Sequence, residues 1–186
     1  DVKADAYNPD AAKKVLEAAG LKEIQLWASD RVRPYNPNFQ RAAELIQADW
    51  AKVGVKAEIV NYEWTKYRSE GKKKDRPGAF QIGWTGDNGD PDNFFATLFA
   101  CSAIGVSNYS SWCDKDFEDL IQKAKKTSDQ AERAKLYGEA QVVFQKQAPA
   151  FLLAHSQVYA VVRKNVSGFM MDPLGIHRFD GVDKAE

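Results

Sequence analysis

Apolar and polar positions along this chain repeat with two different periods, and the switches between them mark its elements. Ala11, Ala12, Val15, Leu16, Ala18 and Ala19 fall at helical spacing behind Asn8-Pro9, an N-cap followed by proline at the first helical position; Gly20 supplies the stop. Ile24 to Ala28 alternates as a strand. Arg31-Val32-Arg33-Pro34-Tyr35-Asn36-Pro37-Asn38 breaks both periods and predicts a loop. Ala42, Leu45, Ile46, Trp50 and Val53 return to helical spacing, Gly54 ends it, and Val55 to Val60 alternates again. Residues 23–60 thus predict a β–loop–α–β unit, whose right-handed crossover makes the two strands parallel. A short helix over 63–70, a charged loop over 71–78 and a third strand over 79–84 follow. Asp114 caps a helix carrying Phe117, Leu120, Ile121 and Ala124, and a further helix spans about 129–147, with Pro149 after it. The β-rich runs 150–155 and 158–162 predict two more strands, and the last stretch, with Pro173, Gly175 and Gly181, predicts an irregular tail. The pattern is that of an α/β protein.

Length and charge narrow the function. The 186 residues suffice for one core. Twenty-six Lys and Arg balance twenty-six Asp and Glu, which argues against a nucleic-acid partner. The basic run Lys72 to Arg76 is therefore read as a solvated connection. No apolar stretch approaches the ~20 residues that span a bilayer. The first residues, Asp1 to Asp5, lack Met and an apolar signal-peptide core, and do not read as a natural start.

The most unusual stretch is Gly86-Asp87-Asn88-Gly89-Asp90-Pro91-Asp92-Asn93. As an EF-hand it fails, since a loop starting at Asp87 puts Gly89 at the third position, Asp92 at the sixth and Leu98 at the twelfth. Other calcium loops and a plain turn stay open. So does a third reading: a carboxylate at the carboxyl end of a strand, where α/β sheets present ligands, suited to an ammonium group. Arg31 and Arg33 follow the first strand in the equivalent place, where an arginine fork suits a carboxylate. One cationic and one anionic strand end would fit a zwitterionic ligand, against the plainer view that Arg33 and Asp87 are ordinary surface charges. Trp84, directly before the acidic loop, could wall a cavity. Cys101 and Cys113 lack zinc-ligand spacing and no motif ties either to His155 or His177. A disulfide closing that Ser/Gly/Asn-rich loop is favoured, and it would place the chain outside a reducing cytosol. No nucleophile elbow, metalloprotease, P-loop or dinucleotide motif is present.

Several motifs together resemble one family. These are Arg33-Pro34-Tyr35-Asn36-Pro37-Asn38, Ile46 to Val55, Gly83-Trp84-Thr85-Gly86-Asp87-Asn88-Gly89-Asp90-Pro91-Asp92-Asn93-Phe94-Phe95, Ser107-Asn108-Tyr109-Ser110, Trp112-Cys113 and Gln147-Ala148-Pro149-Ala150. They are similar to the peptide- and nickel-binding receptors of ABC importers, the large two-lobed solute-binding proteins. The resemblance implies a periplasmic-binding-protein-like second lobe, with a central, mainly parallel sheet flanked by helices. Family members are much longer, so residues 1–165 are expected to be that lobe, incomplete at its amino end. Residues 166–186 are expected to return to a missing first lobe. In dipeptide-binding members an Asp of the acidic loop meets the ligand α-ammonium and an Arg of the Arg-Pro-Tyr motif its α-carboxylate. The matching positions are Asp87 and Arg33, with Tyr35, Gly83 and Trp84 lining the cavity. Cys101 and Cys113 match a family disulfide. The implied function is a periplasmic receptor that hands dipeptides to an inner-membrane ABC permease, without cofactor, metal or catalysis. The alternatives are haem, glutathione or a longer peptide on the same scaffold, and a metal-dependent hydrolase.

Overall fold

The computed structural model describes residues 6–186. Helix α1 (Pro9–Ala18) begins as the sequence dictates, with the Asn8 side chain accepting from the Ala11 amide at 3.0 Å. Strand β1 (Glu23–Ser29), helix α2 (Phe39–Lys52) and strand β2 (Lys56–Tyr62) form the expected unit, and β1 and β2 pair in parallel from Glu23↔Lys56 to Ser29↔Tyr62. Helix α3 (Trp64–Gly71) leads to β3 (Ala79–Phe80), which pairs in parallel with Leu26 and Trp27. The sheet order is β2-β1-β3. Because β1 is central, Leu26, Trp27 and Ala28 are buried under α2, whose Phe39 and Ala43 face them, and beside Tyr67 of α3. Each such large apolar side chain contributes roughly 1.5–3 kcal/mol by leaving water.

A second cluster is helical. It joins α4 (Asp92–Phe99), a one-turn 3₁₀ segment at Cys101–Ala103, α5 (Lys115–Lys126) and α6 (Gln130–Gln147). Asp114 and Asp129 cap α5 and α6, accepting from the amides of Phe117 and Glu132. Phe117, Ile121 and Ala124 recur on one helical face and bury against Tyr137 and Ala140. Phe80, packed against the first core, stacks on Tyr109 of the 104–112 loop, with ring centroids 4.9 Å apart.

Three expectations need correction. The strand expected over 79–84 pairs only at Ala79 and Phe80, because the Gln81 backbone bonds to the Tyr67 hydroxyl instead of a neighbouring strand: the amide donates to it at 3.0 Å, and the hydroxyl donates to the carbonyl. The runs 150–155 and 158–162 form no strand. Their residues are exposed, and among the described residues no backbone bond links them to a sheet edge; β-propensity yields a strand only where a partner satisfies it. The tail is irregular except for an antiparallel pair, β4 (Val166–Ser167) with β5 (Asp183–Lys184).

Cys101 and Cys113 are joined in a disulfide. It closes the loop that carries Tyr109 and the buried Asn108, whose amide donates to the carbonyls of Ala100 and Trp112. A closed loop of this size restrains the unfolded chain by on the order of 3 kcal/mol. The Cys101→Ser, Cys113→Ser double variant is accordingly expected to lose about 2–3 kcal/mol in urea unfolding under oxidising conditions. A midpoint equal to that of the parent would show that the bridge is energetically idle.

Candidate ligand site at the carboxyl edge of the sheet

Parallel pairing brings the carboxyl ends of all three strands to one edge. There the 30–38 loop leaves β1, the 81–91 segment leaves β3, and Trp64 opens α3 directly after β2. In α/β sheets this is the edge that presents ligand-binding groups.

Arg33-Pro34-Tyr35-Asn36 closes as a tight turn with proline at its second position. The Arg33 amide donates to the Asn36 carbonyl at 3.1 Å, and the Asn36 amide returns the bond at 3.0 Å. Gln81, 6% exposed, fastens this turn to the sheet. Its Oε1 accepts from Asn36 Nδ2 at 3.4 Å, and its Nε2 donates to the carbonyls of Trp27 and Phe39 at 3.0 and 3.3 Å. One buried amide therefore fixes the ends of β1, α2 and the arginine turn relative to one another.

The Arg33 guanidinium carbon lies 3.9 Å from the centroid of the Trp64 ring. That contact stacks the cation on the indole face. Arg33 Nε is buried without a hydrogen-bond partner, and no ion pair engages the side chain among the described residues. An unsatisfied buried donor costs about 1–3 kcal/mol, which an incoming anion would offset. Trp64 is itself held, stacked on Tyr67 at 5.8 Å and tilted against Phe39 at 6.4 Å. Beside it Tyr35 packs on Gly83, where a Cβ would stand 2.4 Å from Tyr35 Cδ2, so glycine is what lets the ring approach. Burial pushes the Tyr35 phenol up, with Arg33 pulling the other way, and the hydroxyl stays protonated as both donor and acceptor at neutral pH.

The three carboxylates of the acidic loop are not equivalent. Asp90 takes Arg133 Nη2 at 2.7 and 2.6 Å on its two oxygens, while Arg133 Nη1 donates to the Ala124 and Thr127 carbonyls. Asp92 lies 3.6 Å from Lys125. Asp87 is exposed and, among the described residues, has no cationic partner. Its contact is neutral: Asn93 Nδ2 donates to Asp87 Oδ2 at 3.1 Å, and Asn93 Oδ1 accepts from the Asp87 amide at 3.0 Å and from Trp84 Nε1 at 2.7 Å. Among the described residues, no three acidic, histidine or cysteine side chains converge as metal ligands would. The carboxylate left uncompensated is the one suited to a ligand ammonium.

Of the residues expected from sequence, Arg33 and Tyr35 share one turn, Tyr35 touches Gly83, and Trp84 and Asp87 are joined through Asn93. Sequence reasoning missed Trp64, Gln81 and Arg133 as supports, and it did not single out Asn93. Trp64 alone carried a usable signal, since it follows a predicted parallel strand and so falls at the same edge.

Residues 1–106 match the family described as bacterial extracellular solute-binding proteins, family 5 Middle. The chain is 55% identical to the dipeptide-binding protein of Escherichia coli K12, across 98% of this chain and 35% of that protein. It is 42% identical to heme-binding protein A of Haemophilus influenzae, across 95% of this chain and 32% of that protein. Among solved structures, the dipeptide-binding protein of Pseudoalteromonas sp. SM9913 in complex with Met-Leu superposes with a TM-score of 0.82 at 34% identity, over 96% of this chain and 36% of that one. The chain thus spans about a third of the length of these relatives. With its edge-facing arginine and acidic loop on a parallel sheet, the chain belongs to the bacterial extracellular solute-binding proteins of family 5.

Proposed function

We propose that this chain is the second-lobe part of a periplasmic receptor that binds dipeptides for an inner-membrane ABC permease. Residues 1–165 form that lobe, and residues 166–186 return to a first lobe supplied by the rest of the protein. Arg33 grips the peptide α-carboxylate and Asp87 its α-ammonium, with Tyr35, Gly83 and Trp84 lining the space between. One observation carries the reading: Arg33 is stacked on Trp64 with a buried Nε that lacks a partner, while Asp87 is the loop carboxylate without a cation. The identity to a dipeptide-binding protein and the likeness to a Met-Leu complex support it.

Two lobes would close on the ligand by hinge motion, stabilised because the ligand prefers the closed state. Reading both termini selects length, because a peptide of the wrong length leaves one buried charge unpaired. Nothing in this scheme makes or breaks a covalent bond, so the receptor is not an enzyme. Haem is the second reading, favoured by the likeness to heme-binding protein A.

Calorimetric titration of the full-length protein separates the readings. A free dipeptide is expected to bind, and acetylating its amino end or amidating its carboxyl end should each weaken binding by at least about tenfold. Haem or glutathione binding without a dipeptide response would move the assignment to those solutes. Calcium or zinc binding without a peptide response would favour a metal-dependent hydrolase.

A further inference from the structure

We infer that Asn93 is the positioning residue that aims Asp87 at the ligand ammonium and couples it to the indole of Trp84. The inference rests on the reading of Asp87 proposed above. Three bonds converge on one side-chain amide. Its oxygen accepts from Trp84 Nε1 at 2.7 Å and from the Asp87 backbone at 3.0 Å, and its nitrogen donates to Asp87 Oδ2 at 3.1 Å. Two donors on one side fix which end of the amide is oxygen, so the nitrogen must face the carboxylate. The result is a carboxylate with one oxygen held by a neutral donor and the other, Oδ1, without a hydrogen bond among the described residues.

Neutrality is the point of the arrangement. A lysine or arginine in the same place would cancel the charge that attracts an ammonium, as Arg133 does for Asp90 in the same loop. The amide orients Asp87 and leaves its negative charge intact. Asn93 can do this because it is the second residue of α4, a helix whose Phe95 and Phe99 are packed into the helical core. The aim of Asp87 is thereby set by the fold and does not depend on the loop alone. The Trp84 indole shares the same oxygen, so the cavity wall and the carboxylate keep one relative placement.

The test compares a dipeptide with its des-amino analogue, in which hydrogen replaces the ammonium, in the full-length protein. Asn93→Leu keeps the side-chain shape and removes all three bonds. Its preference for the free ammonium should fall by about tenfold, the order expected when a charge-assisted contact loses its orientation, while affinity for the des-amino analogue stays within about twofold. An unchanged preference, or an equal fall for both ligands, would overturn the inference, the second outcome marking a merely structural role. Should Asn93→Leu fail to fold, Asn93→Ala removes the same three bonds in a residue that favours a helix, and the same comparison applies. Asp87→Asn is measured in parallel. Where it abolishes the preference and the Asn93 variants do not, only this inference fails; where it leaves the preference intact, the assignment of Asp87 fails, and the inference with it.

Discussion

Arg33→Ala in the full-length protein is expected to weaken dipeptide binding by well over tenfold. Truncating one partner of a desolvated, hydrogen-bonded charge pair costs about 2–5 kcal/mol, largely because the other charge is left unpaired. Asp87→Ala should produce a loss in the same direction, also above about tenfold, since closure of the lobes would bury the ammonium it leaves unpaired. Arg33→Lys is not expected to rescue. An ammonium has neither the flat face that lies on Trp64 nor the fork that matches a carboxylate, so the conservative charge keeps little of the geometry. Isothermal titration reads these effects directly. Parent-like affinity in Arg33→Ala would refute the carboxylate assignment.

Phe39→Ala is the largest expected loss of stability. The ring is 1% exposed and stands among Tyr35, Trp64 and Tyr67, with centroids 5.9 to 6.4 Å away. Removing a buried phenylalanine leaves a cavity and costs about 3–5 kcal/mol, a large share of the 5–15 kcal/mol that holds an ordinary domain. The change also reaches function, because Phe39 supports both the Trp64 shelf under Arg33 and the Tyr35 ring on Gly83. Urea unfolding followed by tryptophan emission should show an earlier midpoint at unchanged slope. A shift worth less than about 1 kcal/mol would mean that the neighbouring rings collapse into the space.

Local signals account for what the sequence made legible. Asn8-Pro9, Gly20, Gly54 and Asp114 each act within one turn, and the helices they bound stand within a few residues of the expected limits. Parallel pairing followed from the crossover of the β–loop–α–β unit. Helix α4 escaped because Asp90-Pro91-Asp92-Asn93 reads as a turn, and the helix has only eight residues in which to carry a helical period. The runs 150–155 and 158–162 misled for the opposite reason: their β-branched and aromatic residues state a preference that only a neighbouring strand can satisfy. At the site, the turn and the acidic loop were visible as motifs. Trp64 was legible only as a residue at the same edge, and its contact with Arg33 and that of Arg133 with Asp90 were not, since they join residues 31 and 43 positions apart.

The hold of Arg133 on Asp90 has an entropic consequence for recognition. A loop rich in glycine, asparagine and aspartate would ordinarily sample many shapes, and freezing each residue on ligand arrival would subtract about 1–2 kcal/mol from the affinity. Here the guanidinium spans Asp90 and the carbonyls that close α5, so the loop is set when the helices pack. Its freedom is given up once, during folding, when the apolar burial of Phe117, Ile121 and Tyr137 offsets the loss. On the proposed reading, a peptide that arrives afterwards would meet a loop anchored in advance at Asp90.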